Sequence, residues 1–260
     1  MRSTHATTEP RTIGDATAAW LRETSIAVVA CGVAGALVGG VGSRLAMRVA
    51  AIAAPEARGA ITEAGAVVGE ITMAGTIGLV LFAGLGSAVL GAGTFTVLRP
   101  WLPGAAAARG VVFGSLLLAL LGTAVIDPSN ADFVILDDGA LNVSLFSGLF
   151  VAFGLVAAGT VRLLGERWGP SATPSLRTWL LSLLMAVPIV PGVAGLVSVL
   201  GPPLGIPLVA SSAGMLAAGR MEGRGRHRAA TWVRILATAA MATVVLLAAA
   251  GYFDAVLTIL

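Results

Sequence analysis

The chain has no lysine, one cysteine and one tyrosine, and Asp, Glu, Lys and Arg together make up only 11% of its 260 residues. A soluble domain carries roughly 25% charged residues, so this scarcity excludes an ordinary water-facing surface. The single cysteine, Cys31, lies in an apolar run and excludes a disulfide framework or a Cys-based metal site within one chain. Aromatic residues are 5% of the chain and do not interleave with basic ones, which excludes a nucleic-acid surface. All 16 basic residues are Arg, and the net charge is only +3. Because Arg codons are GC-rich, we read this as genome composition and not as selection for bidentate chemistry. No HExxH, GxSxG, Walker or strand-borne dinucleotide motif is present, so the chain is not expected to be an enzyme. No cofactor or metal is expected either.

What is present is apolar sequence: 57% of residues are hydrophobic and the mean hydropathy is +0.94. A helix needs about 20 apolar residues to cross about 30 Å of hydrocarbon. On that criterion the fold class is all-α, a polytopic integral membrane helix bundle of about seven transmembrane helices. The expected spans are 25–47, 71–97, 109–126, 142–161, 178–199, 203–219 and 231–251. The sixth, with three prolines at its entry, is read as tilted or partly re-entrant. Residues 1–24 are expected as a cytoplasmic N-terminal tail, with 14–24 a short interfacial helix anchored by Trp20, and residues 25–260 as the bundle. The acids Glu9, Asp15 and Glu23 ahead of the first apolar run favour an uncleaved first span over a signal peptide.

Loop charges orient the bundle by the positive-inside rule. The 98–109, 162–177 and 220–234 connections are rich in Arg, whereas 127–141 holds Asp127, Asp132, Asp137 and Asp138 and no Arg. The N-terminus is therefore expected in the cytoplasm and the C-terminus outside. Trp20, Trp101, Trp168, Trp179 and Trp232 all fall at span edges on the cytoplasmic side.

Small residues recur where membrane helices approach closely: Gly35, Gly39 and Ser43, with Gly32, Ala36 and Gly40 beside them, in span 1, and Ala74, Gly78 and Gly86 in span 2. Pro188 and Pro191-Gly192 are expected to kink span 5. No internal repeat is visible.

The candidate polar site follows from depth. If span 1 starts near Ser25, Arg44 lies about 28 Å and Arg48 about 34 Å along it, at the outer edge of a core about 30 Å thick. Glu63 and Glu70 would enter at the same level ahead of span 2. Arg44 or Arg48 is thus expected to pair with Glu70, either clamping two helix ends or lining an outward-facing pocket for an anion, a proton or a lipid headgroup. The 127–142 segment reads as turn chemistry marking the outer side, with Asn142 as the cap of span 4. The basic 219–228 loop would meet anionic lipid through Arg224, Arg226 and Arg228. The expected partners are the lipid bilayer and a second copy of the chain. The leading functional reading is a small transporter or permease-like protein; the alternative is a structural or partner-binding membrane protein.

The stretches SRLAMR (43–48), GEITMAGT (69–76), LRPWLP (98–103), DPSNADF (127–133) and LNVSLF (141–146) resemble a group of polytopic membrane proteins from high-GC actinobacteria. The resemblance covers roughly residues 25–165. It implies a bacterial inner-membrane setting and carries over no functional residues, since no activity is established for the group.

Overall fold

In hydrocarbon a backbone must satisfy its own N–H and C=O groups, and a run of about 20 Ala, Leu, Val and Gly residues does so by coiling into a helix. The computed structural model describes residues 13–57, 59–61, 67, 72–129, 138–168 and 176–260. Among them no strand forms, apart from one isolated bridge between Ile61 and Val67. Seven helices among the described residues are long and apolar enough to cross a membrane. They are span 1 (Thr17–Ala53), span 2 (Met73–Trp101), span 3 (Ala106–Ala124), span 4 (Gly139–Arg167), span 5 (Leu180–Leu200), span 6 (Pro202–Gly223) and span 7 (His227–Ile259).

Direction alternates from span to span. At the end where span 1 begins, called here the entry end, Glu23 pairs with Arg99 at the close of span 2. Arg22 there reaches the carbonyls that end span 4. At the opposite end, Ile126 after span 3, Val143 opening span 4 and Tyr252 late in span 7 form one buried apolar cluster. Spans 1 and 2 pack most extensively, followed by 3 with 4, 6 with 7, 1 with 4, and then 2 with 5. The core centres on Phe95, Phe113 and Phe153 from spans 2, 3 and 4. Phe95 meets Phe113 edge-on at 5.0 Å and Phe113 lies 6.4 Å from Phe153. Phe82, Leu246 and Leu257 are exposed on the outer faces, where lipid rather than water is the solvent.

Several expected features are found and others differ. Residues 14–24 are not a separate surface helix: one helix runs unbroken from Ile13 to Ala34, because no breaker follows Gly14. Span 5 breaks where its prolines lie: one helix, Leu176–Ala186, ends before Pro188, and the next runs Ile189–Leu200. Span 6 is one continuous helix, Pro202–Gly223, with Pro207 inside it; Pro202 and Pro203 occupy first-turn positions whose N–H groups have no helical partner anyway. Gly201, at φ 73°, makes the tight turn between spans 5 and 6, a conformation that favours glycine.

The seam between spans 1 and 2 is irregular in both helices. Span 1 is π-helical over Gly35–Gly42 and span 2 over Val80–Gly84, and the two stretches pack on each other. A Cβ on Gly35 would strike the Gly84 carbonyl oxygen, and one on Gly39 the Ser87 hydroxyl. The face of span 2 that meets span 1 is therefore Val80, Gly84, Ser87 and Ala88. The expected row differs: a Cβ on Gly78 or Gly86 would meet nothing within 4 Å. The observed row, Val80, Gly84 and Ala88, keeps the four-residue spacing but lies two positions along the helix from the expected one.

Candidate functional site

At the end opposite the entry, Arg44 and Arg48 sit in the helical segment Ser43–Ala53 that completes span 1. Arg22 and Arg44 are separated by about 33 Å of helix, close to the hydrocarbon thickness of about 30 Å. Nε and Nη2 of Arg44 are buried and have no hydrogen-bond partner among the described residues. Arg48 is exposed. Glu63 and Glu70, the expected partners, lie outside the described residues. Ser43 turns its hydroxyl back onto the Gly39 and Gly40 carbonyls, which absorbs part of the irregular bonding of the π-helical stretch just before Arg44.

The acidic connection divides in the same way. Asp127 accepts hydrogen bonds from the Ser129 N–H and Oγ–H, both at 2.8 Å, and these hold its carboxyl below the usual range. Asp138 Oδ1 accepts from the Leu141 N–H at 2.9 Å and caps span 4. Asp132 and Asp137 lie outside the described residues. The cap is therefore Asp138 and not Asn142: the helix starts earlier than its apolar run, and Asn142 lies one turn inside it. Asn142 is buried, with Oδ1 unpartnered among the described residues. Nearby, Ser147 Oγ and Tyr252 OH are 2.8 Å apart and tie span 4 to span 7.

The entry end holds a more developed arrangement that sequence reading missed. A cleft of about 780 Å³ opens among the ends of spans 1 to 4, lined by Arg22, Arg99, Arg109 and Arg162 against Glu23 and Glu166. Its apolar wall includes Ile26, Phe95 and Val161. Each arginine is oriented by a different local cause. Arg22 Nε donates to the Trp168 carbonyl at 2.6 Å, and Nη2 to the Gly165 carbonyl at 3.2 Å. It thereby satisfies carbonyls that the end of span 4 leaves without helical partners. Arg109 Nε and Nη2 donate to the Pro103 and Gly104 carbonyls at 3.0 and 3.1 Å, fastening the short connection that precedes span 3. Arg99 pairs with Glu23 across spans 2 and 1. Arg162 pairs with Glu166 one turn along span 4, at 2.9 Å. Both carboxylate pairs are wet, with side chains 40% exposed or more.

Arg99, Arg109 and Arg162 were legible only as loop charges that orient the bundle. Alternation of the spans, applied to side chains and not only to charge counts, would have grouped them with Arg22, because all four close the same end. The exposed basic turn after span 6, Arg224 to Arg228, stands apart from the cleft; there Arg234 pairs with Glu222 at 2.7 Å.

The fold and both ends together define the class, a multi-pass integral membrane protein. No protein-family model, curated protein or solved structure matches the chain.

Proposed function

We propose that the protein is a small permease-like membrane protein, not an enzyme, whose moving element is the seam between spans 1 and 2. The observation that carries this reading is the meeting of two π-helical stretches, Gly35–Gly42 and Val80–Gly84, in neighbouring spans. π-Helical turns concentrate at functional sites. Irregular backbone at membrane depth is tolerated where protein or a water-filled cavity receives it, and broken helices are where transporters bind cargo. Arg44 and Arg48 stand at the mouth of this seam, so an anion or a headgroup is the cargo the reading favours. In it the entry end faces the cytoplasm of a bacterial cell, the C-terminus lies outside, and Arg224, Arg226 and Arg228 rest against anionic lipid headgroups. Two copies would associate through the small-residue faces of spans that remain exposed.

The second reading is a structural or partner-binding protein. It is favoured by the closeness of the other crossings: a Cβ on Gly154 would strike the backbone of Gly110 and Gly114, and one on Gly93 the backbone of Gly192. Such contacts describe a filled bundle.

Cysteine accessibility separates the two. In a Cys31→Ala background in membrane vesicles, Ser87→Cys and Ser43→Cys are exposed to a membrane-impermeant maleimide, with Ser129→Cys in the exposed connection as control. A permease opens the seam, and Ser87→Cys labels measurably. If Ser129→Cys labels promptly while Ser87→Cys and Ser43→Cys stay unlabelled, the seam is static and the permease reading is lost.

A further inference from the structure

We infer that the arginine-lined cleft at the entry end binds a phosphate-class oxyanion, carried either by a lipid headgroup or by a water-soluble phosphate compound. This inference rests on a different end of the molecule from the seam and holds whether or not the seam moves.

Three features converge on the cleft. The first is charge: four guanidiniums face two carboxylates, leaving an excess of positive charge in a recess where low-dielectric walls concentrate its field. The second is unsatisfied donor capacity. A guanidinium carries five N–H donors, and among the described residues Arg99 and Arg162 each make a single pairing, to Glu23 and Glu166. Arg22 and Arg109 bond backbone carbonyls, which neutralise no charge. The third is the start of span 3. Its cap residue is Ala105, which offers no side-chain acceptor to the first-turn N–H groups, and Gly104, Ala105 and Ala106 line the cleft. Orphan amides and the positive end of a 16-residue helix add to the attraction for an anion.

The shape narrows the class. About 780 Å³ is far more than a bare oxyanion fills, and Ile26, Phe95 and Val161 offer apolar contact beside the arginines. The ligand thus has a phosphate, matched by the planar fork of Arg, attached to a larger body. Glu23 and Glu166 act as internal competitors: while the site is empty they hold Arg99 and Arg162, and an arriving phosphate displaces them.

That competition gives a test with effects of opposite sign. Purified full-length protein in neutral detergent is titrated by thermal-shift assay and calorimetry with inorganic phosphate, glucose 6-phosphate and dihexanoyl phosphatidylglycerol. The variants are Arg162→Gln, Glu166→Gln and, as a remote control, Arg228→Gln. The expected result is a concentration-dependent rise in Tm with at least one phosphate probe. Arg162→Gln should weaken that binding about tenfold, the scale of one lost charge-assisted contact. Glu166→Gln should tighten it about threefold by releasing Arg162, and Arg228→Gln should leave it unchanged. Both Arg162→Gln and Glu166→Gln break the same exposed pair, so a merely structural effect would move them together. Binding of the lipid alone assigns a headgroup; equal binding of glucose 6-phosphate assigns a soluble phosphate compound. The inference is overturned if no probe binds at millimolar concentration, or if the two variants shift affinity in the same direction.

Discussion

Arg22 and Arg44 lie on one helix, at its two ends, and meet opposite circumstances. Arg22 bonds the carbonyls of Gly165 and Trp168 and stands in an open, charged cleft. Arg44 has two buried nitrogens with no partner among the described residues. The ends around them differ in the same sense. At the entry end, guanidinium contacts to carbonyls and carboxylates join span 1 to spans 2 and 4. The opposite end is closed by apolar packing of Ile126, Val143 and Tyr252. An arginine at a span boundary is therefore not one kind of object. Its role depends on whether a neighbouring helix ends beside it and offers unsatisfied carbonyls.

The largest expected effect tests the apolar end. Tyr252→Ala removes the ring that packs against Ile126 and Val143 and the bond to Ser147, and should destabilise the protein by about 3 kcal/mol. Thermal unfolding in detergent measures this, and the loss should be indifferent to salt. A small or strongly salt-dependent loss would break the contrast between the ends.

Next is the entry end. Arg22→Gln abandons the carbonyls that close span 4 and should cost about 2 kcal/mol, within the range for hydrogen bonds to charged groups. Limited proteolysis after Arg167 should accelerate in parallel. An unchanged cleavage rate would mean that Arg22 does not hold the end of span 4.

Arg44 sharpens the comparison by reversing its sign. A buried donor without a partner costs about 1–3 kcal/mol, so Arg44→Met, which keeps the stem and removes the charge, should raise stability by about 1 kcal/mol. The same replacement at Arg22 should lower it. If Arg44→Met destabilises instead, its guanidinium is held by a partner beyond the described residues. The clamp with Glu63 or Glu70 would then be restored as the better account.

The smallest effect is one of pH. Asp127 has its carboxyl lowered by the two Ser129 bonds, so its folded pKa lies below the unfolded one. Its contribution is present above the unfolded value, about 3.9, and is lost as pH falls through the lower folded value. Asp127→Asn should flatten the acid limb of the stability profile slightly between those two values and change nothing at neutral pH. A change at neutral pH would show that Asp127 does more than shape its turn.

Much of the architecture was readable because hydrocarbon is a demanding solvent. The seven spans could be counted from apolar runs, and their ends were marked by Arg, Trp and Asp, since each unsatisfied backbone group in lipid is costly. The interruption at Pro188 was readable from the missing N–H of proline. Local reading failed where phase or partnership mattered. Asn142 resembled a cap by position, but Asp138 took that place because the helix gained an extra turn beyond its apolar run. Gly78 and Gly86 shared a spacing with Ala74, yet the row facing span 1 is the parallel one through Val80, Gly84 and Ala88, and spacing alone does not choose between two such rows.

By itself, then, the sequence determined the class and the seven segments apolar enough to cross a membrane. These depend on transfer from water to hydrocarbon, a property of each segment taken alone. Only the tertiary structure decided which boundary residues work together. Arg22, Arg99, Arg109 and Arg162 are up to 140 positions apart in the chain and share a cleft because four helices end at one level. Arg44 and Arg48 are four apart and do not share an environment. Side-chain partnership is set by which helix ends lie side by side, and glycine contacts adjust that registry beyond what spacing along one segment can encode.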